Sequence, residues 1–395
     1  MRHPLPLTLA LLLTATLTQA DISTVVPPDL PTSAGPVQIE PAVRDLKTPW
    51  ALTFLPDGTF LVTERGGTLW HFDGRLDSSS VDAPNDLLQI PPRRSPVAGI
   101  PTVAAHGQGG LLDIQAAQDF ATTRDLFFTF AKPQENGGAG TALARAKLSA
   151  DNTQLTDLRI LFEMAPGSSG GRHFGSRVLE APDGSLYLTL GDRADRPSAQ
   201  DLSNHNGAII RLTRDGGLHP DAPFRTTPGA RPEIWSYGHR NPQGAALDRH
   251  GRLWISEHGA RGGDEINLIK RGANYGWPII SYGRHYSGRK IGEGTAKPGM
   301  EQPNHYWDPS IAPSGMLIYQ GKMFPEWQGD IFIGSLKFGQ IERLEVNGTQ
   351  VTPAEIIKSA VTARIRDLRE APDGAIWFLS ESRGAIYRLS RPPPP

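Results

Sequence analysis

The chain has 395 residues, a formal net charge of −1 and no cysteine. A near-neutral sequence with no basic stretch interleaved with aromatics is a poor partner for nucleic acid, and without cysteine no disulfide can staple the fold in an oxidising compartment. Stability must come from a large core, which this length can bury as two domains or as one all-β unit.

The N-terminus reads as a secretory signal. Arg2 supplies the charged end, Leu5–Leu17 is a short apolar run, and Thr18-Gln19-Ala20 offers a cleavage point before Asp21. That run is too short to span a bilayer, and no later run is long and apolar enough. The expected mature protein is periplasmic or secreted. Loss of Arg2 takes its formal net charge from −1 to −2. The expected organisation is a signal peptide at 1–20, a flexible segment at 21–36, one folded domain at 37–391 and a proline tail at 392–395. Pro27–Pro36 reads as an extended tail outside helix and sheet.

From Trp50 a strand–turn–strand unit recurs. WALTFLPDGTFLVTERGGTLW (50–70) is followed by VLEAPDGSLYLTLGD (178–192), AALDRHGRLWISEH (245–258) and LREAPDGAIWFLSESRGAIYRL (368–389). Weaker copies cover Leu111–Phe130 and Met316–Leu344. Each alternates apolar and polar residues at the strand period between turn signals. Six copies of one antiparallel unit predict an all-β fold, a six-bladed β-propeller of four-stranded antiparallel blades. A β-sandwich fits the strand spacing but not the likeness among the four clear copies. Val37–Asp45 is expected to add a strand to the last blade and close the ring. The polar inserts Asp73–Gly109, Gly167–Arg177, Arg193–Asn206, Gly259–Gly276 and Tyr282–Pro309 are expected to gather at one end and form the site.

His173 sits on a glycine-rich loop before a repeat strand. Such a residue suits a general base near neutral pH; the plainer reading is a loop histidine bonded to a carbonyl. Arg240, Asn241 and Gln243 follow a strand-like run, and Pro242 holds Asn241 extended. They suit an oxygen-rich ligand, or Arg240 pairs structurally with a carboxylate inside the ring. Gly259–Glu265 lacks EF-hand spacing, but the carbonyls of Gly259 and Ala260 suit calcium. Asp264 and Glu265 are ligands or solvated turn residues. Lys337, Arg364 and Arg366 lie at the edges of the last two blades. Arg364 and Arg366, two apart on a strand, share a face. They repel unless they meet a polyanion, with Asp367 and water as the alternative. No nucleotide-binding fingerprint is present.

Several longer motifs then coincide: GQGGLLDI (107–114), RHFGSR (172–177), AQDLSNHNGAIIRLT (199–213), EIWSYGHRNPQG (233–244), EHGARGGDEINLIKRGANYGWP (257–278), GSLK (334–337) and RIRDLREAPDG (364–374). From Ala42 to Ser390 the chain resembles the soluble, calcium- and PQQ-dependent aldose sugar dehydrogenases of the glucose/sorbosone dehydrogenase superfamily. The resemblance implies a six-bladed propeller that oxidises the C1 hydroxyl of aldoses to lactones, with PQQ and Ca2+ as cofactors. Electrons would pass to a small or periplasmic acceptor. It implies that His173 is the general base and that Arg240 and Asn241 contact the reactive quinone edge. By the same likeness Gln108 and Asp264 touch the cofactor, and Lys337, Arg364 and Arg366 hold its carboxylates. The carbonyls of Gly259 and Ala260 fall at the cofactor's calcium, and Glu265 and Tyr275 at a second, structural calcium.

Relatives usually carry Gly-Pro at 259–260, and Ala260 keeps the carbonyl while loosening the loop, which bears on calcium affinity. Arg172 stands where some sugar dehydrogenases have an acid or amide, and Ser176 where a glycine is common. Two rival functions accompany the resemblance. A calcium-dependent lactonase-type propeller would need carboxylate ligands in the channel but not the three cations. A non-catalytic glycan-binding propeller would not need His173.

Overall fold

Four of the six repeat units share one turn. Asp57 Oδ1 accepts from Thr59 N–H, Asp183 Oδ1 from Ser185 N–H and Asp373 Oδ1 from Ala375 N–H, each at 3.0 Å. Asp248 Oδ1 accepts from the N–H groups of His250 and Arg252. The turn glycines Gly58, Gly184, Gly251 and Gly374 all have φ between +73° and +85°, a region that favours glycine. The turn chemistry repeats because one hairpin repeats.

In the computed structural model the described residues are 29–74, 92–135 and 138–392. The expected signal peptide, most of the proline tail and part of the 73–109 insert lie outside them. An outer pair comes first, β1 (Leu30–Thr32) and β2 (Gly35–Val43). Blade 1 is β3 (Pro49–Phe54), β4 (Phe60–Glu64), β5 (Thr68–Phe72) and β6 (Arg94–Val97). Blade 2 is β7 (Leu111–Ala116), the short helix α1 (Phe120–Thr123), β8 (Asp125–Pro133), β9 (Ala139–Leu148) and β10 (Leu155–Glu163). Blade 3 is β11 (Val178–Glu180), β12 (Leu186–Thr189), β13 (Ile209–Leu212) and β14 (Ile234–Ser236). Blade 4 is β15 (Pro242–Leu247), β16 (Leu253–Glu257), β17 (Asp264–Leu268) and β18 (His305–Trp307). Blade 5 is β19 (Pro313–Ile318), β20 (Ile331–Ser335), β21 (Ile341–Asn347) and β22 (Gln350–Ile357). Blade 6 is β23 (Ile365–Glu370), β24 (Ile376–Ser380) and β25 (Ala385–Ser390), and β2 completes it by pairing antiparallel with β25.

This is a six-bladed propeller of antiparallel sheets. The inner strands β3, β7, β11, β15, β19 and β23 each pack on the next around a closed ring. Apolar faces of neighbouring blades meet between them. Phe60 stacks on Phe72 at 4.8 Å and meets Trp377 of blade 6 edge-on at 5.3 Å.

The N-terminal segment differs from the expected tail. Residues from Leu30 onward form a strand pair with Pro31 opposite Pro36, at the outer edge of blade 6. An edge strand tolerates proline because its outward N–H has no ladder partner to lose. Polar contacts fix the segment: Ser33 N–H and Oγ donate to the Glu355 carboxylate at 2.8 and 2.9 Å, and Arg391 Nη1 donates to Ala34 O at 2.6 Å.

Candidate active site

The starting ends of the six inner strands open into a cavity of about 1240 Å³. Its wall takes Trp50 from β3, Leu112 from β7, Arg240 and Asn241 just before β15, Ser310 and Ala312 just before β19, and Arg366 from β23. The inserts supply the rest, including His173, Arg196, Gly259–Gly262 and Tyr286. Eight side chains on this wall are Arg or Lys, and a single acid, Asp308, faces them. Such a surface calls for an anion.

The floor is a closed ionic network. Arg177 Nη1 lies between Asp113 (3.1 Å) and Asp367 (2.9 Å), and Arg369 Nη2 lies 2.7 Å from Asp113. Asp367 is therefore engaged by Arg177 and Arg369, not by the two cations above it. Arg366 binds Glu381 at 2.8 Å, and Arg364 lies 3.5 Å from the same carboxylate. Two guanidiniums share one acid, which leaves excess positive charge facing the cavity. The two are not a same-face strand pair: Arg364 precedes β23 with φ +42°, and a bulge separates Ile365 from Asp367. That backbone brings both to the wall. Among the described residues Lys337 Nζ donates only to Ser310 O, at 3.0 Å.

His173 has φ +54° and its side chain is 12 % exposed. Its Nδ1 lies 2.6 Å from Asp192 Oδ1. Trp277 Nε1 donates to Asp192 Oδ2 at 2.8 Å, and Ala194 N–H donates to Oδ1 at 2.8 Å. Burial raises the Asp192 carboxyl, but the His173 and Ala194 hydrogen bonds outweigh it and hold Asp192 below its ordinary range. With Asp192 ionised, Nδ1 carries the proton and Nε2 keeps its lone pair, on a ring that lines the cavity. Burial, then the charges of Arg240 and Arg193, lower the imidazole against the opposing pull of Asp192. The geometry fits a general base, not a loop histidine bonded to a carbonyl.

Arg240 is buried at 6 % exposure and lines the cavity. Its Nη1 donates to His258 O at 3.2 Å, and its buried Nε has no partner. Among the described residues no carboxylate forms an ion pair with it. Asn241 Oδ1 accepts from Gly175 N–H, and Gln243 bridges Gly175 O and Arg366 Nη1. Gln108 Oε1 accepts from His173 N–H at 2.8 Å. Gln108, Asn241 and Gln243 thus border the cavity and also hold its walls.

The acidic loop divides. Gly259 and Ala260 line the cavity, but Asp264 does not. It lies fully buried behind the wall, accepting from Gly259 N–H (2.8 Å), Ser310 Oγ (2.7 Å) and Ala312 N–H (2.9 Å). Glu265 is also away from the cavity. It pairs with Glu257 across β17 and β16, and Asn267 Nδ2 donates to both carboxylates at 3.1 Å. Desolvation and the Glu257 charge push Glu265 up to about 8. Tyr275 stacks on His239 at 4.5 Å, and its hydroxyl donates to Leu268 O at 2.6 Å.

Similarity to known proteins decides the family. The glucose/sorbosone dehydrogenase family model matches residues 46–388. The chain belongs to the glucose/sorbosone dehydrogenase family. It is 43 % identical over 359 residues to the aldose sugar dehydrogenase YliI of Escherichia coli, covering 90 % of this chain and 93 % of that protein. The crystal structure of the soluble aldose sugar dehydrogenase of E. coli in its apo-form superposes with a TM-score of 0.84 at 42 % identity, covering 90 % of this chain and 100 % of that one. The PQQ-bound aldose sugar dehydrogenase of Streptomyces coelicolor superposes with a TM-score of 0.72 at 26 % identity, covering 92 % and 99 %.

In and behind the wall of this glucose/sorbosone dehydrogenase cavity, several residues carry no isolated sequence signal. Asp192 lies three residues beyond β12, nineteen positions after the histidine it holds. Trp277 reads as core. Arg65 lies in a turn, yet it lines the cavity and its Nη1 donates to Gly107 O at 2.8 Å. Only the ring closure brings these positions together.

Proposed function

We propose that this chain is a periplasmic quinoprotein that oxidises the C1 hydroxyl of aldoses to aldonolactones, using PQQ and Ca2+. The observation that carries this reading is the cavity itself: a neutral, carboxylate-held imidazole among eight cationic side chains and one acid. The named PQQ-bound relative of S. coelicolor supports it.

The residues fit a tricarboxylate. Lys337, Arg364 and Arg366 offer charge beyond what Glu381 neutralises. Arg240 offers a buried donor without a partner, so a ligand oxygen there would relieve a desolvation cost. Gly259 and Ala260 would give carbonyl oxygens to calcium. A cationic wall does not attract Ca2+ alone, so calcium should enter with the anion. Asp264 would act by supporting the Gly259 and Ala312 backbones. Glu265, facing Glu257, suits a second cation, and Tyr275 would contribute its carbonyl, since its hydroxyl is engaged.

Bound there, PQQ supplies a quinone that accepts hydride, and calcium makes it more electrophilic. His173 Nε2 receives the proton of the C1 hydroxyl. Asp192 keeps the imidazole in the required tautomer and stabilises the imidazolium that forms. Arg240 stands ready to stabilise oxyanion charge. The N-terminal signal reading supports export, and no helix among the described residues is long and apolar enough to cross a membrane. Electrons would leave to a small or periplasmic acceptor. The scarcity of carboxylates on the wall disfavours a lactonase-type metal centre.

Purified apo-protein given PQQ, Ca2+, glucose and an artificial electron acceptor should reduce the dye. His173→Ala should take up PQQ but lose turnover. Unchanged dye reduction in His173→Ala would remove the base, and lactone hydrolysis without PQQ would favour the hydrolase.

A further inference from the structure

The loop that carries His173 lies outside every strand, so its backbone must be held by other means. Gln108 N–H donates to Gly171 O at 2.7 Å, and Thr141 Oγ1 donates to Phe174 O at 2.7 Å. The carbonyls of Gly170 and Arg172, either side of Gly171, both go to one side chain. Arg193 Nη2 donates to Gly170 O at 2.6 Å and to Ala139 O of β9 at 3.3 Å, and Arg193 Nη1 donates to Arg172 O. Its guanidinium lies 3.5 Å from the ring centre of Phe174.

We infer that Arg193 is a positioning residue for His173, its planar fork clamping the loop backbone just before the base to β9 of blade 2. This rests on the reading of His173 as the base of sugar oxidation. Arg193 is 3 % exposed, and no carboxylate forms an ion pair with it among the described residues. An unpaired buried cation is costly, so the site requires the fork for something a neutral residue would not provide. The local backbone says what. Arg193 and Ala194 have φ of +53° and +66°, and in this turn the consecutive side chains Asp192 and Arg193 reach the His173 ring and the backbone just before it. Asp192 holds the imidazole, and Arg193 holds the chain that carries it. A lysine in this place keeps the charge but loses the two-nitrogen reach and the flat stack on Phe174.

The test uses the full mature protein loaded with PQQ and Ca2+, with Arg193→Lys and Arg193→Gln beside wild type. Glucose-dependent dye reduction should fall in kcat by roughly tenfold to a hundredfold in both variants, the scale of a small misplacement of a catalytic group. The PQQ dissociation constant, read by absorbance titration, should stay within about twofold, because the fork touches the loop backbone and not Lys337, Arg364 or Arg366. In the apo-protein the downfield His173 Nδ1 proton resonance should shift or broaden in Arg193→Lys. Wild-type kcat in Arg193→Lys with an unmoved resonance would overturn the inference. So would a parallel loss of PQQ uptake, or failure of both variants to fold, since the role would then be scaffolding. Wild-type protein that binds PQQ but oxidises no sugar would instead sink the proposed function.

Discussion

His173 is tied at one nitrogen and open at the other, and that asymmetry sets its chemistry. Two histidines line the cavity, but His258 Nε2 donates to Pro313 O at 2.6 Å, and burial followed by the Arg240 charge pushes its imidazole down to about 3. His258 is therefore neutral and engaged near neutral pH, which leaves His173 as the histidine suited to the proposed role of base. Because His173 is lowered from its ordinary value, its neutral form persists to below pH 6.5. The acid limb of kcat/KM should have its midpoint below 6.5, read from initial rates across pH 4–8. Asp192→Asn removes the interactions that raise the imidazole. It should move that limb further to acid while lowering kcat by roughly 10² to 10⁴. A limb above 7 in the wild type would contradict the assignment. Stability follows the same sign. A histidine depressed on folding contributes fully above its unfolded value and loses that contribution as pH falls toward its folded value. Thermal midpoints should therefore drop as pH falls from 6.5 toward 3, where burial keeps His258 neutral in the folded state after it has protonated in the unfolded chain.

At the level of elements, a close backbone approach shapes the base loop. A Cβ on Gly191 would lie 2.1 Å from His173 O, so the segment after β12 that carries Asp192 meets the loop with no room for a side chain. Gly191→Ala should displace the loop and cut kcat by about a hundredfold, measured beside a thermal melt that shows the propeller still folded. The outer pair β1–β2 makes a separate prediction. Deleting the chain through Ser33 removes an edge strand and its bonds to Glu355, so the melting temperature should fall while activity remains. Deleting through Val43 removes the strand that completes blade 6 and should abolish folding. The blades were legible because each hairpin repeats its Pro-Asp-Gly or equivalent turn and its period-two alternation. The closing strand was legible at Val37–Asp45 because without it the last blade would leave an exposed edge. Pro27–Pro36 was not, because prolines that exclude a central strand are compatible with an edge. Nor was the bulge at Ile365–Asp367 that brings Arg364 and Arg366 to one wall by a route other than strand alternation.

Across the whole molecule, charge is segregated rather than abundant. A chain of formal net charge −1 places eight cations and one acid around a single cavity, and a low-dielectric wall focuses their field. Motifs along the chain pointed to His173, Arg240, Asn241, Lys337, Arg364 and Arg366, all of which line that cavity. Asp264 was not separable from them in sequence, because a carboxylate behind a wall and one on it look alike until the fold is closed. PQQ affinity should weaken as salt rises, since part of it is screened attraction. The most direct measurement is a titration of the apo-protein with PQQ, with and without Ca2+, in the wild type and in a Lys337→Met/Arg364→Met variant. Saturable uptake at one equivalent is expected in the wild type, strengthened by Ca2+ and weakened at least tenfold in the variant. No saturable uptake with Ca2+ present, or equal uptake by the variant, would contradict the account of a cationic cavity built to hold an anionic quinone.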